Sequence, residues 1–517
     1  MSQSKKFDVI IIGAGHNGLI AAAYLAKAGK KVAIFEAAPE VGGATASVRV
    51  FPEFDARLSR YSYLVSLLPD QICRDLNLQF ESISRDVSSY TPYFSGGKSS
   101  DKSGGLFVAR HWDQRSSESF AQLTGSAEEG AAWQDFYGQI SKFAEKIAPS
   151  MLGPLQTRSE LKAEIGMDEI WNLLIETPIG AAIDRYFTDD VVKGVVLTDA
   201  LIGTHASAYD LAANRCFLYH LIGNGTGEWK VPRGGMGALV KELVELCTSL
   251  GVEIHTNSQV ISLKPSESSV TAQIESSEEF SADYLLSNAA PHVLAKLMGE
   301  TIPSSLEGAQ LKINMLVERL PRLKSGADPA LVFAGTFHIA ESFTQLERAF
   351  ELSEQGELPS PLPSEIYCHT LSDPSILSKD LQERGFHTLT LFGLHVPAKL
   401  FDGDNDAMRE LAQAAAFAAL NEYLIEPIES VIAKNSDGSL CIETKTPLDL
   451  EEAISLPRGN IFHRELTFPF REDGTAPSWG VETSHPRILI CGAGAIRGGG
   501  VSGIPGHNAA MAILQKD

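Results

Sequence analysis

A chain of 517 residues is long enough for two or more domains and a large core, and a hydrophobic share of 44% beside 21% charged residues argues against bulk disorder. A formal charge of -22 excludes a general affinity for nucleic acid, which needs a basic face. No run of roughly 18 apolar residues occurs, so no membrane-spanning helix is expected. The first strand follows "MSQSKK" too closely for a signal or transit peptide, so the expected location is cytoplasmic, with contact to a membrane surface through one face left open.

The opening segment, "FDVIIIGAGHNGL", reads as a buried strand, a glycine turn and a helix. Gly13, Gly15 and Gly18 are spaced G-x-G-x-x-G. The first glycine permits the tight turn, the second lets a pyrophosphate approach the backbone, and the third packs helix on strand. A second strand, "KVAIFE", ends at Glu36, where a carboxylate can accept from ribose hydroxyls. Strand, turn, helix, strand and acid stand in the order that a dinucleotide site requires. The next stretch, "APEVGGATAS", adds Gly42 and Gly43, where the backbone can pass close to the far half of a long cofactor. Ala44 and Thr45 are then expected beside its phosphate and flavin end, which points to FAD.

"FDARLSRYSY" brings Arg57, Arg60 and Tyr61 close behind this unit. Next comes the polar loop "SGGKSSDKSGG", Ser95 to Gly105, and then a largely helical stretch. His205, in "IGTHASAYD", is a candidate for chemistry or a packing histidine. Arg233 precedes a helix-patterned segment, "GGMGALVKELVELCTSLG"; it is a candidate for cofactor phosphate, for substrate or for a surface ion pair. In the strands of "VEIHTNSQVISLK", Val260 is expected to meet the adenine through its backbone, and "DYLLSNAAP" reads as a further strand ending near the cofactor. The acidic stretch "ESSEEF" reads as a solvated hairpin edge. Beyond it, strands such as "IYCHTL" and "TLTLFGLHV" precede the helix "DAMRELAQAAAFAALNEYLI". His463, in "GNIFHREL", is a candidate at the cavity mouth.

The chain closes on a second glycine turn, Gly492, Gly494 and Gly498, spaced G-x-G-x-x-x-G. Only 19 residues follow Gly498, too few for another strand and acid, so a separate nicotinamide site is not expected. This strand should instead join the first sheet and close over the same cofactor. A helix beginning near Pro505 would direct its N–H groups, and the backbone of Gly503 and Ile504, at the flavin's pyrimidine edge. Six scattered cysteines without a C-x-x-C pair read as reduced thiols, and no zinc spacing or other metal site is seen.

Taken together, "GAGHNGL", "SYLVSLLPDQICRDLNL", "PRGGMGALVKEL", "KINMLVERLPR", "GNIFHREL" and "CGAGAIRGGGVSGIPGHNAA" resemble the phytoene desaturase-like FAD-dependent oxidoreductases over nearly the whole chain. The resemblance implies an α/β fold: a discontinuous, doubly wound Rossmann-type FAD-binding domain with an inserted α+β substrate domain. The expected division gives residues 1–87, 229–299 and 456–517 to the FAD domain, and 88–228 and 300–455 to the substrate domain. Arg497, in "AIRGGG", departs from the family's pattern and places a cation beside the expected flavin; with Arg57 and Arg60 it speaks against a purely hydrocarbon substrate.

The expected activity is dehydrogenation of a fairly apolar small organic molecule, with electrons passed to oxygen, a quinone or another carrier. Two alternatives stay open: a carotenoid-type desaturase, ketolase or isomerase, and a flavin-binding interaction protein without turnover. The candidates for chemistry are His463, His205, Arg233 and Tyr61, and the sequence leaves the oligomeric state open.

Overall fold

The computed structural model describes residues 5–94, 103–302, 304 and 306–516; residues 95–102 of the expected polar loop therefore lie outside it. Two seven-stranded sheets organise the chain. In the first, strands Glu253–His255, Val32–Phe35, Lys5–Ile12, Glu279–Ser287 and Ile488–Ile490 lie side by side and parallel. Val9, Ile10 and Ile11 are all buried, the continuous apolar run of a strand covered on both faces. Strand Glu279–Ser287 is shared along its outer edge. Its first half pairs antiparallel with Val270–Ile274, and its second half pairs parallel with Ile488–Ile490. The last strand thus enters the sheet that the first strand began. "ESSEEF" lies in the hairpin joining Val270–Ile274 to Glu279–Ser287.

The second sheet runs Ile442–Lys445, Leu311–Val317, His387–Gly393, Ser364–Tyr367, Thr336–Ile339, Val87–Phe94 and Ser103–Ala109. Its pairs are antiparallel except where Thr336–Ile339 meets Val87–Phe94. Segments far apart in sequence therefore build one sheet. A helical layer follows Ser103–Ala109 in the chain, cored by Phe120, Phe136, Phe143, Trp171, Phe187 and Phe217. Two of its helices start on aspartate caps, Asp189 accepting from Val191 N and Val192 N, and Asp210 from Ala212 N. Those two helices, Asp190–Thr198 and Leu211–Ile222, carry Asp199 and His220 to a shared cavity. No helix of the described residues is long and apolar enough to cross a membrane.

Candidate active site

The first glycine turn is packed from below by Asn288, which ends the strand region Glu279–Ser287. Its amide donates to the Gly13 carbonyl at 3.3 Å. A Cβ on Gly18 would lie 2.4 Å from the Gly13 oxygen, a contact that only backbone movement could relieve. The Glu36 carboxylate accepts from Ala14 N at 2.7 Å and from Ala38 N at 2.9 Å. Backbone bonds from Glu36 N to His255 O and from Ser258 N to Glu36 O bring the segment leading to Val260 alongside, and Val260 is itself buried. Gly42 N donates to Ala14 O at 2.9 Å, so the second glycine pair, Gly42 and Gly43, closes onto the first turn. Thr45 turns back, its hydroxyl donating to Gly42 O at 2.6 Å, and Ser62 Oγ donates to the Ala44 carbonyl at 2.8 Å.

The closing turn meets the opening one through the same asparagine. A Cβ on Gly492 would lie 2.5 Å from Asn288 O, while Gly494 abuts Pro291. Helix Ile504–Leu514 crosses helix His16–Lys27 where a Cβ on Gly506 would sit 2.2 Å from Asn17 O. Gly503 caps the later helix with a left-handed φ of 71°, and Ile504 is buried behind it. Neither helix has a side-chain cap at its N-terminus. Two uncapped N-termini, a glycine-lined approach and an acid at the end of the second strand suit a molecule with a central diphosphate and a ribose at one end. Asn288 was not singled out from sequence; its place just after the strand "DYLLS" was the available signal.

Arg497 is a correction. Its guanidinium is buried and committed to the carbonyls of Ser150 at 2.7 Å and Trp479 at 2.8 Å, so it is not a free cation beside the flavin end. Arg60 is likewise neutralised, by Glu443.

Between the second sheet and the helical layer lies a cavity of about 530 Å³. Tyr63, Tyr367 and Phe392 wall one part of it, with Tyr63 and Tyr367 ring centroids 4.1 Å apart and Tyr63 and Phe392 5.1 Å apart. Trp133, Ile140, Val195, Ile202 and Leu221 supply apolar lining. Titratable groups share the lining. Asp199 Oδ1 stands 3.1 Å from His220 Nε2, and burial pushes its carboxyl up to about 7. Glu365 is bonded by the Tyr367 hydroxyl from two residues along the same strand, on the same face, and burial raises its pKa as well. His338 pairs through Nδ1 with Thr91 at 2.8 Å, and burial drives it down to about 3. His338, Glu341 and Glu365 offer ligand atoms within 4.8 Å of one another. Thr91, Thr198 and Tyr367 already bond one atom of each, so the group reads as a hydrogen-bonded network of neutral side chains.

Lys312 joins cavity to turn, and the sequence reading missed it. Its ammonium donates to Ser59 O at 2.9 Å and lies 5.1 Å from the centroid of the Phe392 ring. Burial lowers it to about 7. A lysine in a run of strand residues, "LKINMLV", was the signal.

The four side chains proposed from sequence are dispersed. His463 stands by Gly494, with a positive φ of 64°. His205 is bonded to Ser353 Oγ at 2.8 Å and packs on Phe350. Arg233 is exposed and paired with Glu81 at 2.7 Å. Tyr61 is half-buried against Arg60. None of these four lines the cavity.

A dinucleotide cradle joined to an enclosed second domain is the architecture of a flavin oxidoreductase. The family model for flavin-containing amine oxidoreductases matches residues 18–351, and the chain belongs to that family. It is 43% identical to an uncharacterized protein of Mycobacterium tuberculosis over 531 residues, covering 99% of this chain and 97% of that one. It is 29% identical to the mouse pyridine nucleotide-disulfide oxidoreductase domain-containing protein 2, over 99% and 94% of the two chains. A carotenoid 3,4-desaturase of Haloarcula japonica is 25% identical over 50% of this chain and 51% of its own. Among solved structures, a putrescine oxidase variant superposes with a TM-score of 0.58 at 17% identity, over 99% of this chain and 100% of that one, a likeness of fold. The protein is an FAD oxidoreductase with a Rossmann-type cofactor domain and a substrate domain.

Proposed function

We propose that the protein dehydrogenates a fairly apolar small organic molecule held in the cavity of about 530 Å³, and that its electrons pass on to oxygen, a quinone or another carrier. When bound, FAD supplies the hydride acceptor. The observation that carries the reading is continuity. Ser62 bonds the Ala44 carbonyl, the next residue, Tyr63, walls the cavity, and Lys312 bonds the Ser59 carbonyl while lying against Phe392 of the same wall. These residues hold the cofactor end and the substrate end in register, and orientation is what hydride transfer needs most. Trp133, Ile140, Val195 and Leu221 give part of the chamber an apolar lining. The carboxyls of Glu365 and Asp199, both with pKa raised by burial, give the substrate's polar atoms hydrogen-bonding partners, which favours a molecule with some polar function over a bare polyene. A reducing compartment such as the cytoplasm suits the six unpaired cysteines.

Anaerobic titration of the holoprotein with a metabolite extract, read by bleaching of the flavin spectrum and then mass spectrometry, tests the reading. Bleaching with a product two hydrogens lighter is expected. A product of unchanged mass made only after prior flavin reduction would replace the reading with isomerisation. Rapid stoichiometric reduction by NADPH would overturn the stated electron route.

A further inference from the structure

Three histidines surround the place where the opening and closing turns meet. His16 is the first residue of the helix after Gly15. His292 is the second residue of helix Pro291–Met298, just beyond Asn288. His463 reaches the same place from the loop before the last strand. A Cβ on Gly494 would lie 2.5 Å from Pro291 Cδ and 3.6 Å from His463 Cβ, so the closing turn is wedged between the two. His292 and His16 both stand near enough to His463 to oppose its protonation.

Each of the three rings keeps a buried nitrogen without a partner: His16 Nε2, His292 Nδ1 and His463 Nδ1. A buried polar atom left unpaired costs on the order of 1–3 kcal/mol, so three such atoms bordering the meeting of the two turns favour a ligand that satisfies more than one of them. Burial keeps the rings uncharged, with His16 and His463 lowered to about 4 and His292 lowered also. The other charged groups bearing on them are Glu451 and Lys296, both felt by His292. At the opening turn, the Glu36 carboxylate is occupied by Ala14 N and Ala38 N.

We propose that His16, His292 and His463 form an anion clamp on the diphosphate of FAD, and that at least one of them takes up a proton as the cofactor binds. The proposal rests on the FAD assignment and is independent of the substrate reading. A diphosphate only accepts hydrogen bonds, and a protonated imidazole donates from both nitrogens. Charge-assisted bonds of that kind are roughly twice as strong as neutral ones. The bound anion raises the imidazole pKa, so the complex holds a proton that the free protein lacks. Binding is then tight at low pH and weakens as pH rises through the raised value.

Release of FAD from the holoprotein, followed by the recovery of flavin fluorescence, tests this. Between about pH 6 and about pH 8 the wild-type release rate is expected to rise about tenfold, the change that corresponds to one pKa unit of lost interaction. His16→Gln and His463→Gln should each release faster at the lower pH, and the double variant should lose the slope. Far-UV circular dichroism confirms that each variant is folded, and His292→Gln replaces any that is not. A pH-independent wild-type rate, or an undiminished slope in the variants, overturns the clamp. A colourless wild-type preparation that refuses FAD is a different failure, one that strikes the cofactor assignment itself.

Discussion

The cofactor cradle and the substrate cavity are built on opposite principles. Within the glycine turns, side chains are small or missing and the groups offered are backbone N–H groups at two uncapped helix ends, with His16, His292 and His463 at their margin. Around the cavity, side chains are large, several are ionisable, and Lys312, Glu365 and His338 are nearly all out of water. The first region recognises by shape and fixed dipoles, which tolerate almost no added volume. The second is lined by ionisable groups on several strands and helices whose charge is suppressed by burial, so its polarity changes with pH and with what enters it.

The sharpest way to break the comparison is at Gly18. The Cβ of any larger residue meets Gly13 O at 2.4 Å, so Gly18→Val is expected to weaken FAD binding by more than about 100-fold, the equivalent of roughly 3 kcal/mol, and to yield a colourless protein. Retained flavin would mean that the cradle tolerates bulk after all.

Lys312→Met comes next. It removes the ammonium bonded to Ser59 O and Ser62 O while keeping the packing on Phe392, and should cost about 2–4 kcal/mol of stability and at least about tenfold in turnover. Calorimetry with steady-state kinetics separates the two effects.

Asp199 supplies a smaller, pH-dependent effect. Its carboxyl is pushed up to about 7, above the roughly 3.9 of an unfolded aspartate. The folded protein therefore holds an extra proton between those values, and stability falls as pH rises through that window. Its side chain keeps 26% of its surface open to the cavity, which trims the effect to about 1 kcal/mol. Asp199→Asn should flatten this part of the profile of melting temperature against pH; an unchanged slope would place the proton elsewhere.

The smallest effect is expected at Arg233. Its ion pair with Glu81 is exposed on both sides, so Arg233→Ala should change stability by less than about 0.5 kcal/mol and leave FAD content unaltered. A loss of flavin would restore Arg233 to the cofactor site.

The cradle was legible because its parts follow one another within one strand–turn–helix–strand unit. Gly13, Gly15, Gly18 and Glu36 stand in register with the physical demands of the turn, and the bonds to Ala14 N and Ala38 N stay within that unit. The cavity was not legible. Tyr63, Asp199, His220, His338, Glu365 and Phe392 come from six separate segments, and nothing in their spacing announces that they meet. His205 shows the same limit from the other side. The sequence leaves it open between chemistry and packing, and the fold sets Ser353 and Phe350 against it.

The sequence by itself determined the local conformations: the turn only glycines allow and the buried strand beside it. Tertiary structure decided which of the ionisable residues face one another, and which of them give up their charge. That division is physical. Turn geometry is set by steric clashes within a few residues, whereas desolvation and pairing depend on neighbours that only the closed chain provides.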